Sequence, residues 1–366
     1  MRRAAKPEPR ATLEAKVAFL KRADAYPGRP ARVEAIETHF SWVFLTPRHA
    51  YKLKKPVRFA ALDYRSLRLR RLNCMREVRL NRRLAPDVYL GVVALTRDAR
   101  GALRLGGRGR RVDWLVKMRR LPATRTLAHA IAAGRVRDAD LRRIAAHLAD
   151  FFRTVPAVAV AAETYRRRFA HGVRTHRRYL LRPAFRLPRA AVEAPAAALL
   201  DFLARRGDLL EARARERRIV EGHGDLRPEH IYFGTPPVIV DCLEFERALR
   251  TLDPAEELAL LVVECERLGA PAVGARLLAA WRKAAAERAP QVLFEFHMAW
   301  RAYRRAVAAA SHLDAPAPAD PAKWRRRTRQ YLRLARDHAR RLAQPAPAPD
   351  TADGALAAAG RRARRG

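Results

Sequence analysis

Cysteine, acidic residues and long apolar runs are all scarce in this 366-residue chain. The three cysteines, Cys74, Cys242 and Cys265, are odd in number, far apart and outside any C-x-x-C or His/Cys zinc spacing, so buried free thiols are expected. The longest apolar stretches, such as ELALLVVE, are interrupted by acids and fall well short of the roughly 20 residues that span a bilayer. No apolar segment follows the basic start MRRAAKPEPR, so it does not read as a secretory signal. No G-x-x-x-x-G-K-S/T occurs, which excludes a standard P-loop, and no 20- to 50-residue period points to a solenoid. These absences leave a soluble, cytoplasmic protein with no membrane partner as the expectation.

Acids are outnumbered by about two to one, with Lys+Arg 76 against Asp+Glu 37 and a formal net charge of +39. Such an excess raises RNA or another polyanion as a partner. The basic residues, however, are overwhelmingly arginine, spread along the whole chain rather than gathered with aromatics, and alanine is abundant throughout. That is also the composition a GC-rich genome produces. Nucleic acid stays open as a partner but is not favoured.

Local patterns divide the chain in two. Residues 1–10 and 343–366, the latter with AQPAPAPD and a basic GRRARRG tip, read as disordered. Within 38–55, two β-rich runs flank the turn TPRH. A helix over about 64–84 follows, with Leu69, Leu72, Met75 or Leu80, and Leu84 at helical spacing. VYLGVVALTR and VDWLVKMRRL then read as strands around the turn GGRGRR. From 124 the pattern is helical apart from the short strands IYF and VIV around GTPP. The expectation is an α+β chain with a small sheet lobe carrying one helix (11–120) and a larger, mostly helical lobe (121–342).

The chemistry concentrates in GHGDLRPEHIYFGTPPVIVDCLEF, residues 222–245. An antiparallel return of VIV along IYF would bring Asp241 back beside His230, with Asp225 close by. A hard divalent cation needs such carboxylate oxygens, and a second carboxylate can orient a hydroxyl and accept its proton. Taken alone, this pattern also fits an ordinary charged hairpin.

The order of residues is more specific. HGDLRPEHI resembles the HGDLHxGN loop of aminoglycoside phosphotransferases and the HRDLKPEN loop of protein kinases, with a hairpin and a metal-binding aspartate following. LDPAEELALL resembles the DPAxDLA segment of the phosphotransferases. ETHFSWVFLTPRHAYKLKKPV and LNRRLAPDVYLGVV resemble the N-terminal half of bacterial aminoglycoside-phosphotransferase-family proteins often fused to an ATP-binding P-loop domain, which has no counterpart here. The resemblance runs from about 36 to 300. It implies the two-lobed protein-kinase-like fold, ATP and Mg²⁺ or Mn²⁺ as cofactors, and a small-molecule hydroxyl acceptor.

By position, Asp225 resembles the catalytic base and Asp241 the metal-binding aspartate. Ala50 and Lys52 match the A-x-K strand, with Ala50 leaving room for adenine and Lys54 the fallback lysine. Glu77 matches the glutamate that pairs with the lysine. Lys117–Arg119, centred on Met118, would offer its backbone to adenine. Arg227 stands where protein kinases have lysine and could neutralise charge on the transferring phosphoryl group. More ordinary roles stay open: Lys52 solvated, Glu77 an i,i+4 partner for arginines, Arg227 a cap for carbonyls, and Glu244 either at the metal or structural. His230 is carried with Asp241 as a candidate metal residue but departs from the pattern, since kinases place an amide there for a second Mg²⁺, and imidazole is a poor ligand for Mg²⁺ and a good one for Mn²⁺. A nucleotide-binding pseudokinase and a polyanion-binding protein are therefore carried beside the phosphotransferase reading. TPRH, taken as the phosphate loop, has no glycine.

Overall fold

A computed structural model of the chain describes residues 11–59, 62–314 and 320–343. Apart from Ala343, the ends expected to be disordered lie outside the described residues. Helix α1 (Leu13–Leu20) comes first, its start capped by the Thr12 hydroxyl accepting from the Ala15 amide. Strands β1 (Glu34–Glu37), β2 (Ser41–Leu45) and β3 (His49–Lys54) form a meander, followed by the small ribbon of β4 (Arg58–Phe59) and β5 (Leu62–Asp63). After α2 (Leu67–Asn81) come β6 (Tyr89–Arg97), β7 (Leu103–Leu105) and β8 (Arg110–Arg119). The main sheet is antiparallel in the order β1-β2-β3-β8-β6-β7. The strand–strand–helix–strand–strand pattern is present, with α1, β1 and β7 added to it.

Alternation along the strands sorts side chains onto two faces. Phe44, Tyr51, Leu53, Leu95 and Leu115 point to the face covered by Val17, Leu20 and Tyr26. Tyr89 and Val116 point to the other, against Cys74 and Val78 of α2. Ala50, Lys52 and Lys54 alternate with Tyr51 and Leu53, so β3 presents its lysines toward α2.

Helix α2 differs from the expected apolar stripe. Leu72 and Met75 are 39% and 50% exposed, whereas Arg70, Asn73, Glu77 and Asn81 are buried. This face of the helix meets charges. Arg70 Nε donates to Asp113 Oδ1 at 2.7 Å, and Lys16 of α1 takes Asp113 Oδ2 at 2.8 Å. One buried carboxylate thus ties α1, α2 and β8 together.

The helical lobe comprises α3 (Leu127–Ala132), α4 (Asp138–Thr154), α5 (Ala162–Leu180), α6 (Arg189–Arg206), α7 (Asp208–Arg215), α8 (Pro254–Arg267), α9 (Pro271–Ala284), α10 (Gln291–Ala310) and α11 (Pro321–Arg341). Every residue of α8 from Pro254 to Cys265 is buried, so this helix is the axis about which the lobe packs. The basic helix α11 lies along α10 and buries Tyr331, Leu332, Ala335 and His338, so packing accounts for its apolar residues. Between α7 and α8 run four short strands, β9 (Val220–Glu221), β10 (Ile231–Tyr232), β11 (Val238–Ile239) and β12 (Thr251–Leu252), paired as β10–β11 and β9–β12. All three cysteines are buried free thiols. Among the described residues, no helix is long and apolar enough to cross a membrane.

His338 anchors α11 between two carboxylates, with Nδ1 2.7 Å from Glu295 and Nε2 2.8 Å from Glu266. Burial alone would lower its pKa, but the two carboxylates outweigh burial and raise it to about 9. A raised folded-state pKa contributes stability that is complete below the ordinary histidine value and is lost as pH rises through the folded value. The melting temperature is expected to fall between pH 6.5 and about 9.5, and His338→Gln to flatten that part of the profile in a thermal-shift series.

Candidate active site

The strip 222–245 is fixed from below by α8. Glu257 accepts the backbone amides of His223 at 2.7 Å and Gly224 at 2.8 Å, holding the loop that carries Asp225. Gly224 has φ +88°, a left-handed conformation that disfavours side chains, and a Cβ on Gly222 would stand 2.3 Å from Glu257 Oε2. The glycines on either side of His223 are therefore steric requirements of the loop. His223 accepts the Leu243 amide through its carbonyl, and its ring bonds the Val240 carbonyl, tying the loop to the returning strand.

Register in the β10–β11 ribbon pairs Ile231 with Ile239 and Tyr232 with Val238. The Val240 amide donates to the His230 carbonyl, and Asp241 Oδ2 stands 3.6 Å from His230 Nε2. Asp241 has φ +66°, a costly conformation for a non-glycine residue that persists only where its surroundings dictate it. Here the small lobe does so. Tyr89 Oη accepts the Asp241 amide at 3.1 Å, and Asn81 Oδ1 accepts the Cys242 amide at 2.9 Å.

Lys52 Nζ lies 2.7 Å from Asp241 Oδ1 and 3.0 Å from Glu77 Oε1. Burial alone would push the Lys52 pKa down, but Asp241 and Glu77 hold it well above the ordinary lysine value. Lys54 takes the other Glu77 oxygen at 2.5 Å and Glu244 Oε1 at 2.5 Å, while the Tyr64 hydroxyl also donates to Glu244. Lys54 and Glu77 are fully buried and Glu244 nearly so, so Lys54 and Glu244 form an internal ion pair. Lys52 alone of the two lysines lines the cavity.

Asp225 lies 3.0 Å from Arg227 Nε and 3.6 Å from Arg305 Nη1. Burial would raise its pKa, but these guanidiniums outweigh burial and hold the carboxyl well below its ordinary value. His230 Nδ1 donates to the Asp225 backbone carbonyl at 2.9 Å, which leaves Nε2 to accept from Arg227 Nη2 at 2.7 Å. Both ring nitrogens of His230 are thus engaged inside the loop. The described residues hold no group of three or more His, Cys, Asp or Glu arranged for a metal.

These groups line one cavity of about 780 Å³ between the lobes, within the range of small-molecule sites. Ala50, Val43, Leu45, Val88 and Met118 give it an apolar end, while Lys52, Asp225, Arg227 and Asp241 line its polar part. Two expectations change. The turn facing the cavity is Thr38–Phe40 between β1 and β2; no residue of TPRH lines it. The cavity meets the end of β8 at Met118–Leu121 rather than at Lys117, because β8 is paired on both sides as far as Met118, and Arg119 gives its amide to Val88. The sequence reading also lacked Tyr89, Asn81 and Glu257. Glu257 in DPAEELALL was the one available signal, since a glutamate in a largely apolar helix needs a partner.

No family model matches the chain. An uncharacterized protein of Mycobacterium tuberculosis, and one of Mycobacterium bovis, are 32% identical over 285 residues, which is 75% of this chain and 54% of theirs. The chain spans about half the length of these curated relatives. Among solved structures, a choline/ethanolamine kinase family protein from Mesorhizobium loti superposes with TM-score 0.51 at 15% identity, over 90% of this chain and 95% of that one. Choline kinase from Cryptosporidium parvum gives 0.52 at 8% identity, over 88% and 95%. Aminoglycoside phosphotransferase APH(4)-Ia is among the similar structures. The fold is the two-lobed, protein-kinase-like one expected from the sequence.

Replacing Lys54 with methionine would leave Glu77 and Glu244 buried without their shared cation. Breaking a buried pair in this way costs about 3–5 kcal/mol. Lys54→Met is expected to lose that much in urea unfolding, an effect that a solvated lysine would not produce.

Proposed function

We propose that the chain is an ATP-dependent phosphotransferase acting on a small-molecule hydroxyl. The observation that carries this reading is the convergence of Lys52, Glu77, Asp225 and Asp241 on one cavity, with Asp241 held at positive φ. ATP is the donor: adenine would occupy the apolar end beside Ala50 and Met118, with its phosphates toward Lys52. An ammonium has three donors. Asp241 takes one of them at 2.7 Å and Glu77 stands 3.0 Å away as an ion-pair partner, so Lys52 keeps donor capacity for a phosphate oxygen.

Mg²⁺ suits this site as a phosphate-held ion, because the Asp241 side chain is 46% exposed and a hard cation takes carboxylate and phosphate oxygens together. Asp241 would hold it, and when bound it would neutralise charge on the phosphates. His230 is proposed as a positioning residue instead of a ligand, since its Nε2 lone pair receives Arg227.

In the reaction, the acceptor O–H bond breaks and the oxygen forms a new bond to the γ-phosphorus. The bond between that phosphorus and the β,γ-bridging oxygen breaks, and ADP leaves. The proton passes to Asp225. A carboxylate held this firmly ionised is a weak base, so its main contribution is to orient the hydroxyl, as suits a loose transition state with late proton transfer. Arg227, 3.0 Å from Asp225, lies where negative charge on the transferring group would be met.

The choline/ethanolamine kinase and choline kinase names among the similar structures support the reaction class. A nucleotide-binding protein with little turnover is the second reading, favoured by the engagement of both His230 nitrogens. Asp225→Asn is expected to reduce ATP turnover by at least about a hundredfold with ADP affinity retained, and Lys52→Ala to weaken ADP binding. Radiolabel transfer and calorimetry measure the two effects. Wild-type turnover in Asp225→Asn would end the proposal, and nucleotide binding without turnover in the native protein would select the second reading.

A further inference from the structure

The cavity extends past Asp225 to a wall built by α10. Arg301, Arg304, Arg305 and Ala308 stand at helical spacing on one face of that helix, and all four line the cavity. The acids behind them do not balance these arginines. Glu256 is shared among three guanidiniums: Arg168 at 2.7 Å, Arg301 at 3.4 Å and Arg304 at 3.8 Å. Arg305 is held by Glu264 at 2.8 Å, and that carboxylate also takes Arg267.

Two of the four cavity-wall residues have unused hydrogen-bonding capacity. Arg301 is 3% exposed, and its Nη2 is buried with no hydrogen-bond partner among the described residues. An unsatisfied charged donor at such depth is costly. Arg304 has Glu256 at 3.8 Å and the Trp300 ring at 5.7 Å as its partners. Burial, and after it the charge of Arg301, lower its pKa to about 10. A second anion placed between these side chains would relieve both deficits.

We infer that this wall is an anion-binding acceptor subsite, so that the substrate is an alcohol carrying a phosphate monoester. Resting on the phosphotransferase reading, this assigns the acceptor class for that same site. Planar guanidinium forks match phosphate oxygens in pairs, and a dianion fits a wall with more than one uncompensated cation better than a single carboxylate does. A cationic alcohol such as choline would meet Arg301, Arg304 and Arg305 with repulsion. Asp225 is the lining carboxylate that stands 3.6 Å from Arg305, and Arg227 and Arg305 already flank it.

The test is calorimetric titration of the full chain with inorganic phosphate, in the presence of saturating ADP so that the nucleotide site is filled. Saturable binding is expected in the native protein, about tenfold or more weaker in Arg304→Gln and only partly restored in Arg304→Lys, which keeps the charge but not the fork. Arg304 is the residue to vary first because it is partly exposed, and its melting curve shows whether the variant folds. Acetate and choline titrations form the comparison arms. Phosphate affinity unchanged in Arg304→Gln, no phosphate binding, or tighter binding of acetate or choline would each overturn the inference. Failure of ADP to bind would instead end the nucleotide reading. The phosphate titration repeated on Lys52→Ala without ADP then tests the arginine wall by itself, with the same Arg304 substitutions on that background.

Discussion

Glu77 is a fully buried carboxylate set between two ammonium groups, and much of the molecule is arranged around it. One of its oxygens faces Lys52 and through it Asp241; the other faces Lys54 and through it Glu244 and Tyr64. A charge taken this far out of water is tolerable only when every partner is present, because the desolvation cost of each ion is several kcal/mol. Strand β3 must therefore carry two lysines on one face, and α2 must turn a polar side inward. The segment after β11 must also come back within reach of both lysines. The helix, the strand and the hairpin are consequences of one electrostatic arrangement.

This arrangement explains what could and could not be read from the sequence. The strands β2, β3, β6 and β8, the β10–β11 ribbon and the placement of Asp225 and Asp241 on one cavity were legible because they rest on local signals: alternation, turn residues and the order of residues in 222–245. The orientation of α2 was not. Periodicity arguments assume that the buried face is the apolar one, and here Leu72 and Met75 face outward while Arg70 and Glu77 go in. The assignment of the cavity-facing turn to TPRH failed for a related reason. Strand β1, EAIE, has two glutamates in four residues and does not look like a strand until its pairing with β2 is seen. Glu257 and Asn81 act on backbone amides 34 and 161 residues away, and no local pattern encodes a partner at that distance.

Net charge proved less informative than its distribution. Most arginines with buried heads are matched, as in Arg213, which grips Asp253 and Glu287, or Arg70 on Asp113. Paired guanidiniums say little about partners, whatever the total. The α10 wall differs because its cations outnumber the carboxylates behind them. The motif itself, RAYRRAVA with arginines at i, i+3 and i+4, is plain in the chain. Only the placement of α10 against the Asp225 loop separates it from the many solvated arginine faces elsewhere.

The bonds that hold the strip 222–245 cross the seam between sheet and helices repeatedly. Lys52 and Lys54 reach Asp241 and Glu244, Tyr89 and Asn81 take the amides of Asp241 and Cys242, and Arg83 donates to the carbonyls of Glu221 and Gly222. Cutting the chain near residue 120 would strand a buried ammonium on one fragment and a buried carboxylate on the other. Heat or denaturant is therefore expected to dismantle the two lobes in one transition. A hinge of freely rocking lobes is poorly compatible with such a clasp. Ligands would enter through the mouth of the cavity, past the Thr38–Phe40 turn.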